Sequence, residues 1–197
     1  MPKLLALDLS SNVGHAIMER GRAPLFGTLR LRGDRAQQLG KFLEWAEDMH
    51  MVHQFDGIAW ERPLIAPTDT VDLLELLYGL VGIAYAVAGK FKLPYREVSV
   101  DQVKITLTGT KKADKAAMLR AAMEDFNWKI STDHEADAGS VGIYAYESLW
   151  PKPRAIANRI PTRRRVGPTL SGDNQQQTPQ PEAFPRADDT DLHHRRS

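Results

Sequence analysis

The sequence predicts an α/β domain: a mixed five-stranded sheet, three antiparallel strands and then parallel ones, with helices on both faces. Three observations lead there. Short apolar runs come first, in quick succession and separated by turn residues, which makes a meander. Farther on, single short apolar runs alternate with long stretches of helical periodicity, the pattern of parallel strands joined by helical crossovers. Apolar residues make up 42% of 197 residues, enough for one well-filled core and an extension beyond it.

The elements follow in order. "KLLALDLS" (3–10) is a buried first strand, and "GHAIMER" (14–20) and "APLFGTLRL" (23–31) follow it, with Gly21 in the turn between them. In 34–55, Leu39, Phe42, Leu43, Ala46 and Met49 recur at helical spacing behind Asp34, a good N-cap. "DGIAWERP" (56–63) is a fourth strand, 68–90 a helix, "PYREVSV" (94–100) a fifth strand, and two helical segments cover 111–125 and 133–149. In this order the first and fourth strands are neighbours. The apolar run 71–90 approaches membrane-span length, but Asp72 and Glu75 occupy its first turns and the uncharged remainder falls short of ~20 residues. It is expected to be a core helix, with no membrane involved.

Charge is uneven. Residues 151–197 carry nine Lys/Arg and five Asp/Glu, whereas 1–150 carry 17 and 20. A slightly acidic domain, 1–150, is therefore expected to precede a basic, Pro/Gln-rich and disordered tail, 151–197, whose composition buries too little apolar surface to offset ordering. If nucleic acid is bound, local basic patches must do it, and the tail is expected to add salt-dependent affinity. The absence of cysteine excludes disulfides, thiolate nucleophiles and Cys-ligated zinc, and fits a reducing, cytoplasmic setting.

Four residues are candidates for chemistry. Asp8 interrupts an apolar strand, where a carboxylate is costly unless paired or bound to a cation; the plainer reading is a cap on the "SSNVG" turn. Glu61 ends "IAWE" in the same way, and a strand-end Glu in water is the plainer reading there. Two carboxylates at the ends of neighbouring strands would repel, and a divalent cation between them relieves that. His134 and Asp137 share one face of the first turn of the 133–149 helix. Thr132 or Asp133 as N-cap, with Glu135 favouring the helix dipole, accounts for part of this cluster. Asp137 opens the small-residue run "DAGSVGIYA", which predicts close packing on the sheet and leaves its charge in need of a partner. Carboxylates around a hard cation suit Mg²⁺ or Mn²⁺, and two such ions support phosphodiester hydrolysis. In "DQVKITLTGTKKADKAAM" (101–118), Lys104, Lys111, Lys112 and Lys115 form either a solvated helix face or a phosphate-gripping loop and helix start.

The strand Asp in "LDLSSNVG", the strand Glu in "WERP", "VKxxxTGxxxAxK" (103–115) and "HEADA" (134–138), in that order, resemble the RuvC family of Holliday-junction resolvases. Their fold is RNase H-like. The resemblance covers 3–149 and is carried by order and spacing. It implies a metal-dependent, structure-specific endodeoxyribonuclease acting as a homodimer on four-way DNA junctions, in a bacterial or phage-infected cell. It further implies two Mg²⁺ or Mn²⁺ ions held by Asp8, Glu61, His134 and Asp137, Lys115 at the scissile phosphate, and Lys104 at the backbone, with Lys111 and Lys112 as further DNA contacts. The family's aromatic residue after the strand Glu is absent, so Leu64 or Ile65 is expected to wedge into the junction. A nuclease for other branched or flap DNA, a non-cleaving junction-binding module, and an actin-like phosphotransferase, whose second lobe this chain is too short to hold, are the alternatives.

Overall fold

The structure, a computed structural model, describes residues 1–152. The basic extension expected at 151–197 lies outside the described residues, apart from its first two positions.

Strands β1 (Lys3–Asp8), β2 (Asn12–Glu19) and β3 (Leu25–Arg30) form an antiparallel meander. Helix α1 (Arg35–His53) follows, and its Asp34 and Gln37 satisfy each other's backbone N–H groups in a capping box. β4 (Gly57–Glu61) then returns beside β1 in parallel, α2 (Val71–Phe91) crosses over, and β5 (Tyr95–Val98) joins β4 in parallel. The sheet order is β3-β2-β1-β4-β5, so the first and fourth strands are neighbours, as the sequence predicts. α3 (Val100–Thr108), α4 (Lys115–Arg120) and α5 (Asp133–Leu149) complete the described chain.

The two-residue period of the strands divides the core. Leu5, Leu7, Ile17, Ile58 and Trp60 face α1 and α2. Leu4, Ala6, Ala16, Ala59 and Val98 face α3, α4 and α5. α2 is long and apolar enough to cross a membrane by length and composition, yet Leu76, Leu77, Leu80, Ala84, Val87 and Ala88 bury one side of it, and it packs against α1 and β4.

The structure corrects the reading of 100–125. Residues Val100–Thr108 form a helix, which fills the stretch left open between the fifth strand and the helix expected from 111 and puts Lys104 on a helix face, one of its two expected settings. Ser99 and Gln102 make its capping box, and Val103 and Leu107 are its buried pair. Gly109, at φ 74°, ends it. The helix expected from 111 begins only at Lys115, because Asp114 accepts the Ala117 N–H as its N-cap, and it ends in a π turn, Ala121–Asp125.

Candidate active site

Strand alternation aims the first two carboxylates. Asp8 follows Leu4 and Ala6 in the row that faces α5, and Glu61 follows Ala59 in the same row of β4. Ala6 pairs with Ala59 and Leu7 with Trp60, so one step beyond the last pair Asp8 and Glu61 stand side by side at the carboxyl ends of two parallel strands. Both are partly buried.

α5 brings the remaining two. Thr132 caps it by accepting the Glu135 N–H. Small residues let its axis come close to the sheet: a Cβ on Gly142 would meet Met18 at 2.6 Å, and one on Gly139 would meet Trp128 at 2.5 Å. The tightest approach is from the sheet side. Gly14 on β2 pairs with Asp8, and a Cβ there would lie 2.1 Å from the His134 carbonyl oxygen. The backbone of α5's first turn thus rests on β2 directly, next to Asp8. His134 Nδ1 lies 2.6 Å from Asp8 Oδ2, and Asp137, one turn on, enters the same cluster.

Glu135 stands in the first turn of α5, as expected, and also joins the helix to the sheet. It is buried rather than solvated, accepts hydrogen bonds from Thr28 Oγ1 (3.1 Å) and the Ser131 N–H (2.6 Å), and so ties β3 to the start of α5. The helix-start position expected for it is correct, and β3 covers that side. Gly14 and Glu135 are the two structural determinants missed at the sequence level. A glycine inside an otherwise apolar strand was the available signal for the first.

The site is crowded with negative charge. Burial, reinforced by Asp8 and Asp137, pushes Glu61 up to about 8, against a smaller opposing pull from Lys104. Burial, with Asp8 and Asp133, likewise pushes Asp137 up to about 6. His134 is raised by its hydrogen bond to Asp8 and by that carboxylate's charge, which favours an imidazolium paired with Asp8. These mutual influences place Asp8, Glu61, His134 and Asp137 in one electrostatic unit. As they are placed, no three His, Asp or Glu side chains among the described residues stand close enough together to hold an ion.

Two of the candidate lysines border this unit. Lys104, on α3, acts on Glu61. Lys115, at the start of α4, donates to Asp133 Oδ2 at 2.7 Å, and its charge also reaches Asp137 and Asp8. Lys111 and Lys112 are exposed in the turn between α3 and α4. Leu64 and Ile65 are exposed in the loop after Glu61, at 74% and 51%.

Neither a protein-family model nor a curated protein matches the chain. Solved structures do. Thermus thermophilus RuvC superposes with a TM-score of 0.59 at 14% identity, over 75% of this chain and 96% of its own. The same protein in complex with a Holliday junction substrate gives 0.60 at 14%, over 72% and 90%. The yeast mitochondrial Holliday junction resolvase Ydc2 gives 0.52 at 13%, over 71% and 75%. At such identities the likeness is one of fold: this chain has the RNase H-like fold of RuvC, a mixed five-stranded sheet with helices on both faces.

Proposed function

We propose that this chain is a divalent-cation-dependent endonuclease that cuts branched DNA, the four-way junction foremost. The observation that carries the reading is the convergence of Asp8, Glu61 and Asp137, from three separate elements, on one end of a sheet with RuvC's fold. T. thermophilus RuvC, solved in complex with a Holliday junction substrate, shares that fold.

The residue types fit such a cation, which would have to draw these side chains closer together than they stand here. Three carboxylates and an imidazole are crowded enough that Glu61 holds its proton at neutrality and Asp137 loses its own only near pH 6, and a divalent ion relieves that repulsion by displacing protons. Asp8, Glu61 and Asp137 would hold one ion or two, with His134 as a nitrogen donor once its proton is lost. Oxygen donors suit Mg²⁺, and the imidazole extends the choice to Mn²⁺. When bound, the ion supplies charge to the phosphate and lowers the pKa of a coordinated water. The chain's own residues do the rest. Lys115 leaves Asp133 for the scissile phosphate, Lys104, Lys111 and Lys112 hold backbone phosphates as point charges, and Leu64 or Ile65 enters between base steps as an apolar wedge. A homodimer places two such sites on opposing strands. α2 supplies the contact, since Val71, Tyr78 and Tyr85 leave its outer side exposed.

The test is a labelled four-way junction beside matched duplex and flap substrates, with Mg²⁺ or Mn²⁺. Paired symmetric nicks near the branch point are expected. Junction binding without cuts would leave a non-cleaving module, and preferred cutting of flaps would move the substrate class.

A further inference from the structure

Beside the acidic cluster a second cavity opens, with a volume of about 360 Å³. Its walls are the β1–β2 turn with Ser11 and Asn12, the end of β3 with Arg30 and Arg32, and the first turn of α5 with His134. It therefore shares a wall with the site described above.

Arg30 reaches it by the period of β3. Phe26 packs on Trp128, Thr28 hydrogen-bonds toward Thr132 and Glu135, and Arg30 is next on that face. It therefore extends past the end of α5 into the cavity. Arg32 follows in the loop, where Leu31 N–H donates to the Ser11 carbonyl and joins the two walls. Both arginines are exposed. Arg20, Arg22, Arg35 and Arg62 all have carboxylate partners. Among the described residues, Arg30 and Arg32 take part in none of the ion pairs. The acids nearby are already engaged: Asp133 with Lys115 and Asp8 with His134. Lys41, on α1 and outside the cavity, holds the Arg30 backbone by donating to its carbonyl at 3.0 Å. Uncompensated positive charge thus gathers in one groove of a domain that is otherwise slightly acidic.

We propose that this groove carries the sugar-phosphate backbone flanking the scissile phosphate. Arg30 and Arg32 grip phosphate oxygens, and Ser11 and Asn12 hydrogen-bond beside them. Arginine's planar fork suits bidentate phosphate contact, and contacts of this kind fix the register of a strand without reading its sequence. The inference rests on the nuclease reading and extends it to Arg30, Arg32, Ser11 and Asn12.

The experiment uses the full chain with Arg30→Ala, Arg32→Ala, the double variant, and a control pair away from the groove, Arg22→Ala with Lys129→Ala. Junction affinity is followed by fluorescence anisotropy in chelator across a salt series, with thermal melts alongside. The double variant is expected to bind severalfold more weakly than the control pair and to lose about 2 from its salt slope, roughly 1 per arginine, with an unchanged melt. Wild-type binding that the double variant matches in affinity and slope overturns the groove alone, and so does an equal loss in the control pair. A wild-type chain that binds no junction overturns the nuclease reading and the groove together.

Discussion

His134 Nδ1 sits 2.6 Å from Asp8 Oδ2, although 126 residues separate them. The pair joins the carboxyl end of the first strand to the first turn of the last described helix, and it closes the circle of groups around Glu61 and Asp137. Its presence helps explain how several acids share a partly buried site: one is paired with an imidazolium, Glu61 retains its proton at neutral pH, and Asp137 gives its own up only near pH 6.

The Asp8→Asn variant is expected to cut a four-way junction more slowly by roughly 10²-fold or more, since cation charge stabilisation is worth several kcal/mol. Binding in chelator should be retained, because shape is kept. Single-turnover cleavage and anisotropy measure the two. Cutting at the parental rate would remove Asp8 from the proposed cation site.

Gly14→Ala tests the approach of α5 to the sheet. Its Cβ would meet backbone, 2.1 Å from the His134 carbonyl oxygen, and backbone has no rotamer to yield. The expected cost is about 1–3 kcal/mol, seen as a lowered melting temperature together with lost cleavage, since displacing this turn moves His134 and Asp137 at once. A melt and a cleavage rate equal to wild type would show that the contact is looser than described.

The pH dependence of stability has a definite sign. Glu61 and Asp137 are raised, to about 8 and about 6, so the folded chain holds protons that the unfolded chain releases. Their contribution is complete below the ordinary carboxyl range and is lost as pH rises through those values. His134 is raised as well: its contribution is complete below about 6.5 and is lost above. All three run the same way. Asp137 acts mostly below pH 6, and Glu61 and His134 carry the slope above it. In chelator, stability should therefore fall between pH 6 and pH 8 by up to about 1.4 kcal/mol per pH unit for each group still titrating, and the melting temperature with it. Glu61→Gln should flatten the slope, and Mg²⁺ or Mn²⁺ should offset it most at the alkaline end. A profile in chelator that is flat or rises over this range contradicts the charge-crowding account.

The proposed homodimer is tested on α2. Tyr78 is 53% exposed on its outer side, and Tyr78→Glu is expected to shift the chain from dimer to monomer by light scattering at micromolar concentration. The melt should move by less than about 0.5 kcal/mol equivalent for the monomer fold, as for surface substitutions generally. A wild-type chain that is already monomeric would count against α2 as a contact.

Much was legible from local pattern. The strands at Lys3–Asp8 and Gly57–Glu61, the Asp34 cap, the close-packed face of α5 and the neighbour relation of β1 and β4 all follow from periodicity, capping residues and crossover rules, which act over a few residues at a time. The helix Val100–Thr108 carried its own signals, Ser99-x-x-Gln102 and the Val103/Leu107 pair, but its lysine-rich continuation past Gly109 fits a solvated helix face and a phosphate-gripping loop alike. Asp8, Glu61, His134 and Asp137 were identifiable as charged groups at element ends facing an apolar core. Their order along the chain, however, says nothing of distance or protonation. Only the tertiary structure set Gly14 against the backbone of His134, turned Glu135 inward against Thr28, and gathered Arg30 and Arg32 beside the site. The physical reason is range: helix caps and strand alternation are decided by neighbours in sequence, whereas burial, charge repulsion and steric closeness are decided by whichever segments the sheet order and helix packing bring together.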